Sequence, residues 1–380
     1  MPGKILAVGL SILLAQSGFA QDQDKVEAFN AAWQTYAAAH ESGDIHATVE
    51  AAREVLVAGK AALPEDDTRI PVLVQNYGSA LLDAGKTDMA REQLEVALTM
   101  LEQEFGEDSV ELISTLSLLA DARGGVGNEY RQLQLYKRAL RISAKHHGDK
   151  SAEYGDLAFR AARSIYDRSR SQAGKKYMDA AHEIFLAEYG EADWRVGLTN
   201  FYLGKMRFSR KQYKQAAEYL EAALPSFSGD SDNIKSLRLV TRALLVQTYE
   251  SRGKSELATP HCVAIGSESQ FSPNQDYKPI FRLAPRYPSE MLARGVEGFV
   301  DLSFTIDENG FVKDPVVIQS VPDKRRPGSS IKRRGSAEDE SFEAAAAEVI
   351  KRFRYAPRFV DGEPVAVEGV KTRISFQLVD

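Results

Sequence analysis

The feature that most constrains this 380-residue chain is an internal repeat with a period of 42 residues. Gly106, Gly148 and Gly190 stand 42 apart, in Phe105-Gly106-Glu107, His147-Gly148-Asp149 and Tyr189-Gly190-Glu191. One period earlier the same place holds another helix breaker before acids, Pro64-Glu65-Asp66-Asp67. Gly43, Gly85, Gly127 and Gly253 form a second set with the same period. Five residues after this second register, a trio begins at i, i+4 and i+7. It reads Thr48/Ala52/Val55, Ala90/Leu94/Ala97, Gln132/Tyr136/Ala139, Gly174/Met178/Ala181, Ala216/Leu220/Ala223 and a shortened Ala258/Cys262/Ile265. That spacing puts each trio on one helix face. Small residues at its ends let a second helix approach closely. A helical pair of this size cannot bury its apolar face alone and must stack on its neighbours. Residues 24–266 are therefore expected to form an α-solenoid that binds a protein segment. A structural spacer or dimerisation arm is the alternative.

A large-small pair precedes several trios: Tyr77-Gly78, Leu119-Ala120 and Leu203-Gly204. The order of large-small pair, turn and Ala-x3-large-x2-Ala resembles the tetratricopeptide repeat in a lengthened form, best in residues 77–98 and 203–224. Read from the residues alone, another helical solenoid also fits. The copies around 132 and 174 depart from the pattern, so the number of repeats stays open. The resemblance implies stacked helical hairpins with a protein ligand that the sequence does not name.

Composition narrows the classes. Charged residues make up 27% and the net charge is −6, the balance of a globular chain without a nucleic-acid footprint. A single cysteine, Cys262, excludes an intrachain disulfide framework and a cysteine-based zinc cluster. At the start, Lys4, an apolar run over 5–14 and Gly18-Phe19-Ala20 read as a secretory signal, residues 1–20, cut before Gln21. An uncleaved inner-membrane anchor is the alternative.

The helical period stops at a polar break, 267–278. Beyond it Val300, Leu302, Phe304 and Ile306 alternate with Asp301, Ser303 and Thr305, a half-buried strand. Asp307-Glu308-Asn309-Gly310 is turn chemistry, and 311–321 is the return strand, with Pro315 marking an edge or bulge. Phe342, Ala345, Ala346, Val349, Ile350 and Phe353 form one stripe of a helix over 341–353. Asp361-Gly362 makes a turn, and Val370, Thr372, Ile374, Phe376 and Leu378 alternate as a closing strand. Residues 279–380 are thus expected to be a small α+β domain, a three-stranded antiparallel sheet with two helices, that folds separately from the repeats.

Several motifs in this domain occur in one order: Pro285-Arg286-Tyr287-Pro288, Gly295 and Gly298, a strand ending before Gly310, Phe353-Arg354-Tyr355 with Pro357, and Gly362. Together they are similar to the TonB C-terminal domain family. The resemblance implies a protein of the Gram-negative periplasm. It implies that the domain binds the N-terminal peptide of an outer-membrane TonB-dependent transporter by strand addition, with the ExbB/ExbD complex as a further partner and energy source. Val370, Lys371, Thr372, Arg373, Ile374, Ser375 and Phe376 are the residues expected to take the partner strand. Lys371 and Arg373 as simple guards of an exposed edge are the alternative. The segment 323–340 departs from the family in length and carries two basic triplets, a solvated insertion or an anionic contact. A scaffold without energy transduction is the competing function.

Signals for catalysis or metal are weak, and none is assigned: no catalytic residue, no metal and no cofactor. His146-His147 reads as a polar helix end, and Cys262 sits in an apolar repeat slot. Asp307 to Gly310 lacks the acidic spacing of a calcium loop. Trp33 and Trp194 fall on repeat helices and are expected in the core.

Overall fold

A computed structural model describes residues 23–124, 127–169, 171–268, 277–323 and 337–378. The expected export segment and most of the polar break and of the basic segment lie outside these residues. The chain divides into two compact units, Met1–Gly174 and Lys175–Asp380. The polar break therefore falls inside the second unit.

The first unit contains α1 (Gln23–Ser42), α2 (Ile45–Ala62), α3 (Arg69–Asp83), α4 (Thr87–Phe105), α5 (Leu112–Ala122), α6 (Glu129–His147) and α7 (Ala152–Ser169), each packed on the next. The second opens with α8 (Lys175–Tyr189), α9 (Trp194–Ser209), α10 (Tyr213–Ala223), a 3-10 turn (Leu224–Phe227), α11 (Asp232–Ser251) and α12 (Ser255–Glu268). The repeat glycines end helices or turn between them, at φ from 67° to 93°. Lys211 fills the same register slot with φ 57°, a left-handed conformation that costs a side-chain-bearing residue more.

The trios are buried as their spacing requires, except that Thr48 and Ile265 are half-buried. Ala90, Leu94, Ala97, Ala216, Leu220 and Ala223 are fully enclosed. A Cβ on Gly78 would lie 2.8 Å from Leu94 Cγ, and a Cβ on Gly204 would lie 2.7 Å from Leu220 Cγ. One large-into-small contact thus recurs in both units. The departing copy around 132 is also buried, but it is polar. Tyr136 donates to Asp121 Oδ1 at 2.6 Å, Arg160 Nη2 reaches Asp121 Oδ2 at 3.0 Å, and Ser164 donates to the same carboxylate. Gln132 Nε2 donates to Ser164 Oγ at 2.9 Å. Trp33 is partly buried against the core, as expected, whereas Trp194 is 38% exposed. It is the first residue of α9, after the capping Asp193, where its ring lies beside the Arg195 guanidinium instead of in the core.

After α12 come α13 (Ser289–Ala293), β1 (Glu297–Ile306), β2 (Val312–Asp323), α14 (Ala337–Ile350), β3 (Arg358–Val360), β4 (Glu363–Val365) and β5 (Val367–Phe376). The main sheet has the order β2-β1-β5, all antiparallel. Val300, Leu302, Phe304 and Ile306 join Val370, Ile374 and Phe376 in one core with Phe342, Ala346, Val349 and Ile350 of α14. The small β3–β4 hairpin was not legible as strands. It turns at Asp361 (φ 52°) and Gly362 (φ 85°).

Candidate functional site

The sheet leaves two strands paired on one side only among the described residues, β2 and β5. They differ in regularity. β2 shifts register against β1 twice, between Asp301 and Leu302 and again between Ser303 and Thr305. Asp314 stands there with φ 47°, and Pro315 has no N–H to donate. β5 has one irregularity, next to Gly369 at φ 72°. From there its register is unbroken: Val370 opposite Phe304, Lys371 opposite Ser303, Thr372 opposite Leu302, Arg373 opposite Asp301, Ile374 opposite Val300, Ser375 opposite Phe299 and Phe376 opposite Gly298. These are the seven residues that the sequence placed in the partner-binding strand.

Their side chains split by face. Val370, Ile374 and Phe376 are buried and Thr372 half-buried, while Lys371, Arg373 and Ser375 are exposed. Arg373 grips Asp301 with two hydrogen bonds, Nε at 2.8 Å and Nη2 at 2.9 Å, and its guanidinium lies 3.8 Å from the Phe299 ring centre. The Arg373 hydrogen bond holds the Asp301 carboxyl below its usual range. Arg373 is therefore fastened across the outer face of the sheet. Lys371, by contrast, is an exposed cation near the middle of the strand.

The motif residues build what lies behind this edge. Pro288 caps α13, and Pro285 is half-buried ahead of it. Tyr287 meets Phe342 and Phe376 edge-on at 5.8 and 5.7 Å, and those two rings stack at 4.4 Å. Its hydroxyl donates to the Val296 carbonyl. Gly295, at φ 62°, ends α13, and Gly298 begins the β1–β5 pairing. Gly310, at φ 81°, passes so close to Tyr355 that a Cβ would lie 2.1 Å from the Tyr355 carbonyl oxygen. Phe353 and Tyr355 are buried on either side of Arg354, and the Tyr355 ring packs on Phe304 at 5.6 Å. Pro357 is buried, and Gly362 makes the β3–β4 turn.

Arg354 is 1% exposed, and sequence reasoning gave no partner for it. Its partner is Glu250 near the end of α11, itself 8% exposed. The period offered a signal. Tyr166, Phe208 and Glu250 stand 42 apart, so a carboxylate occupies a slot that holds an aromatic ring in the two copies before it. Cys262 is fully buried in the same neighbourhood, and burial pushes its thiol up to about 11. His261 Nε2 lies 3.1 Å from Glu221 and stacks on Tyr249.

Comparison with known proteins bears on the two parts separately. Residues 284–325 match the family model described as Gram-negative bacterial TonB protein C-terminal. Protein TonB of Pseudomonas aeruginosa is 30% identical over 98 residues, which are 26% of this chain and 24% of that protein. Less than two thirds of that relative's length is therefore matched. Among solved structures, BtubC from P. vanneervenii is 19% identical, covering 67% of this chain and 99% of that one, with a TM-score of 0.46. A tetratricopeptide repeat protein from Parabacteroides merdae is 13% identical, covering 65% and 82%, with a TM-score of 0.40. The C-terminal domain is TonB-like, and the helical pairs before it are tetratricopeptide-like in register and packing.

Proposed function

We propose that this chain is a periplasmic TonB-like adaptor whose C-terminal sheet takes an extended peptide from an outer-membrane TonB-dependent transporter along β5, while the repeats hold a second protein. The observation that carries this reading is the contrast between the two edges. β5 offers seven residues in continuous register, whereas β2 is interrupted by Asp314 and Pro315. An added strand gains main-chain hydrogen bonds from a regular edge, and side-chain contacts supply the selectivity. Energy coupling through ExbB/ExbD belongs to the same reading and requires an inner-membrane attachment.

Adjacent strand residues direct their N–H groups to opposite sides. Of Thr372→Pro and Arg373→Pro, one therefore removes a donor facing the open edge, and the other removes a donor facing β1. Titration of full-length protein with a synthetic transporter N-terminal peptide is expected to show about a tenfold weaker Kd in the outward variant, read only in variants that keep the wild-type circular dichroism. Unchanged affinity in a folded outward variant overturns docking on β5.

A further inference from the structure

The second unit contains an intramolecular junction between the last helical hairpin and the sheet domain. Arg354 stands at its centre. Its Nη1 meets the Glu250 carboxylate, and its Nη2 donates to Thr259 Oγ1 at 3.0 Å and to the Asn309 carbonyl at 2.9 Å. Glu250 Oε2 accepts from Ser255 Oγ at 2.8 Å, so the carboxylate is held from its own helical hairpin. The Arg354 guanidinium lies 3.7 Å from the Phe311 ring centre. One side chain of the sheet domain thus joins α11, α12 and the β1–β2 turn.

The backbone supports the same junction. Arg354 N donates to the Phe281 carbonyl at 3.0 Å, and Ile280 N donates to the Arg354 carbonyl at 2.8 Å. Phe281 is itself buried among repeat residues, with Leu245, Tyr249, Ala258 and Cys262 in the same cluster. Two glycines permit the approach. A Cβ on Gly266 of α12 would lie 2.3 Å from the Pro357 carbonyl oxygen, and the Cβ position of Gly310 is 3.4 Å from Cys262 Cβ. A charge buried this deeply needs its partner in place, and apolar surface on both sides is covered when the bodies meet.

We infer that hairpin α11–α12 is a built-in partner of the C-terminal domain, held to it by Arg354–Glu250 and able to keep hold of it after the covalent connection is cut. The surface formed by Arg354, Asn309, Gly310 and Pro357 is then an interaction surface whose occupant is this chain's own last repeat. The working C-terminal body begins at α11, and 279–380 is only part of it. Through Tyr355 and Phe304 the junction reaches β1, whose other neighbour is β5, so any strand added to β5 is held in a fixed orientation to α11–α12. The inference does not depend on what binds the edge.

The test uses the full-length chain with a specific protease site replacing part of 269–276. After cleavage, size-exclusion chromatography at about 1 µM is expected to show the two pieces eluting together. Glu250→Gln keeps the shape of the side chain and removes its charge, and is expected to weaken the association by at least about a hundredfold, so that the pieces separate. Gly266→Ala raises helix propensity and leaves the ion pair intact, yet it should also separate the pieces by pushing α12 off Pro357. Circular dichroism of the uncut chains checks that the helices persist, and if Glu250→Gln fails to fold, Gly266→Ala decides. Separation of the cleaved wild-type pieces overturns the inference. So does co-elution of the folded variants to the same dilution as wild type.

Discussion

Two copies of one repeat slot are filled by opposite means. In α10, Ala216, Leu220 and Ala223 form an apolar face, and Leu220 drops onto Gly204. In α6 the same positions hold Gln132, Tyr136 and Ala139, and the Tyr136 hydroxyl points to Asp121. Both faces are fully buried. The backbone period thus accepts either chemistry, and in the polar version the Tyr136 hydroxyl and the Gln132 amide N–H are both paired. Burial and the neighbouring Asp121 carboxylate push the Tyr136 phenol far up, which marks how deeply the polar version has been drawn into the core.

The sharpest way to break this comparison is to empty each slot. Leu220→Ala leaves a cavity over Gly204 and should cost about 2–5 kcal/mol by urea denaturation. Asp121→Asn keeps the volume but weakens the acceptor of three side chains, and about 1–3 kcal/mol is expected. If Asp121→Asn costs more than Leu220→Ala, the polar slot is the stronger joint and the ordering is wrong.

A finer comparison uses two matched loops, one in each unit. Asp67 and Asp193 stand 126 residues apart, three periods, and each accepts from the backbone N–H and the guanidinium two residues on, Arg69 and Arg195. Both carboxyls are held below the ordinary 3.8, chiefly by the side-chain hydrogen bond from that arginine. A depressed folded pKa gives stability that is present above the unfolded value and lost as pH falls through the folded one. Asp67→Asn and Asp193→Asn should each lower the Tm slightly at pH 7, and the difference from wild type should shrink as pH drops below about 4. A difference that persists undiminished at pH 2 would show that the loops depend on shape and not on charge.

How much was legible in the sequence follows from the same chemistry. The trios, the turn glycines and the β1–β5 alternation were readable because burial on a helix or strand imposes a period on the residues. The buried face of β5 was readable for the same reason, since Val370, Ile374 and Phe376 could face only one way, whereas alternation does not say which strand lies at an edge. Lys211 hid a left-handed turn because no glycine announced it. The β3–β4 hairpin hid because three-residue strands carry no alternation to detect. The Arg354–Glu250 pair was invisible for another reason. Its members lie 104 residues apart, and the period marks Glu250 as a departure without naming the residue it meets.

The interruption in β2 has a consequence for stoichiometry. A sheet open and regular on both sides is a template that can grow, each new strand offering a fresh edge to the next. With Asp314 turned and Pro315 lacking a donor, growth on that side has no continuous ladder to copy. On the proposed reading, a strand added to this sheet goes to β5 and not to β2, and assembly ends with whatever terminates that added strand.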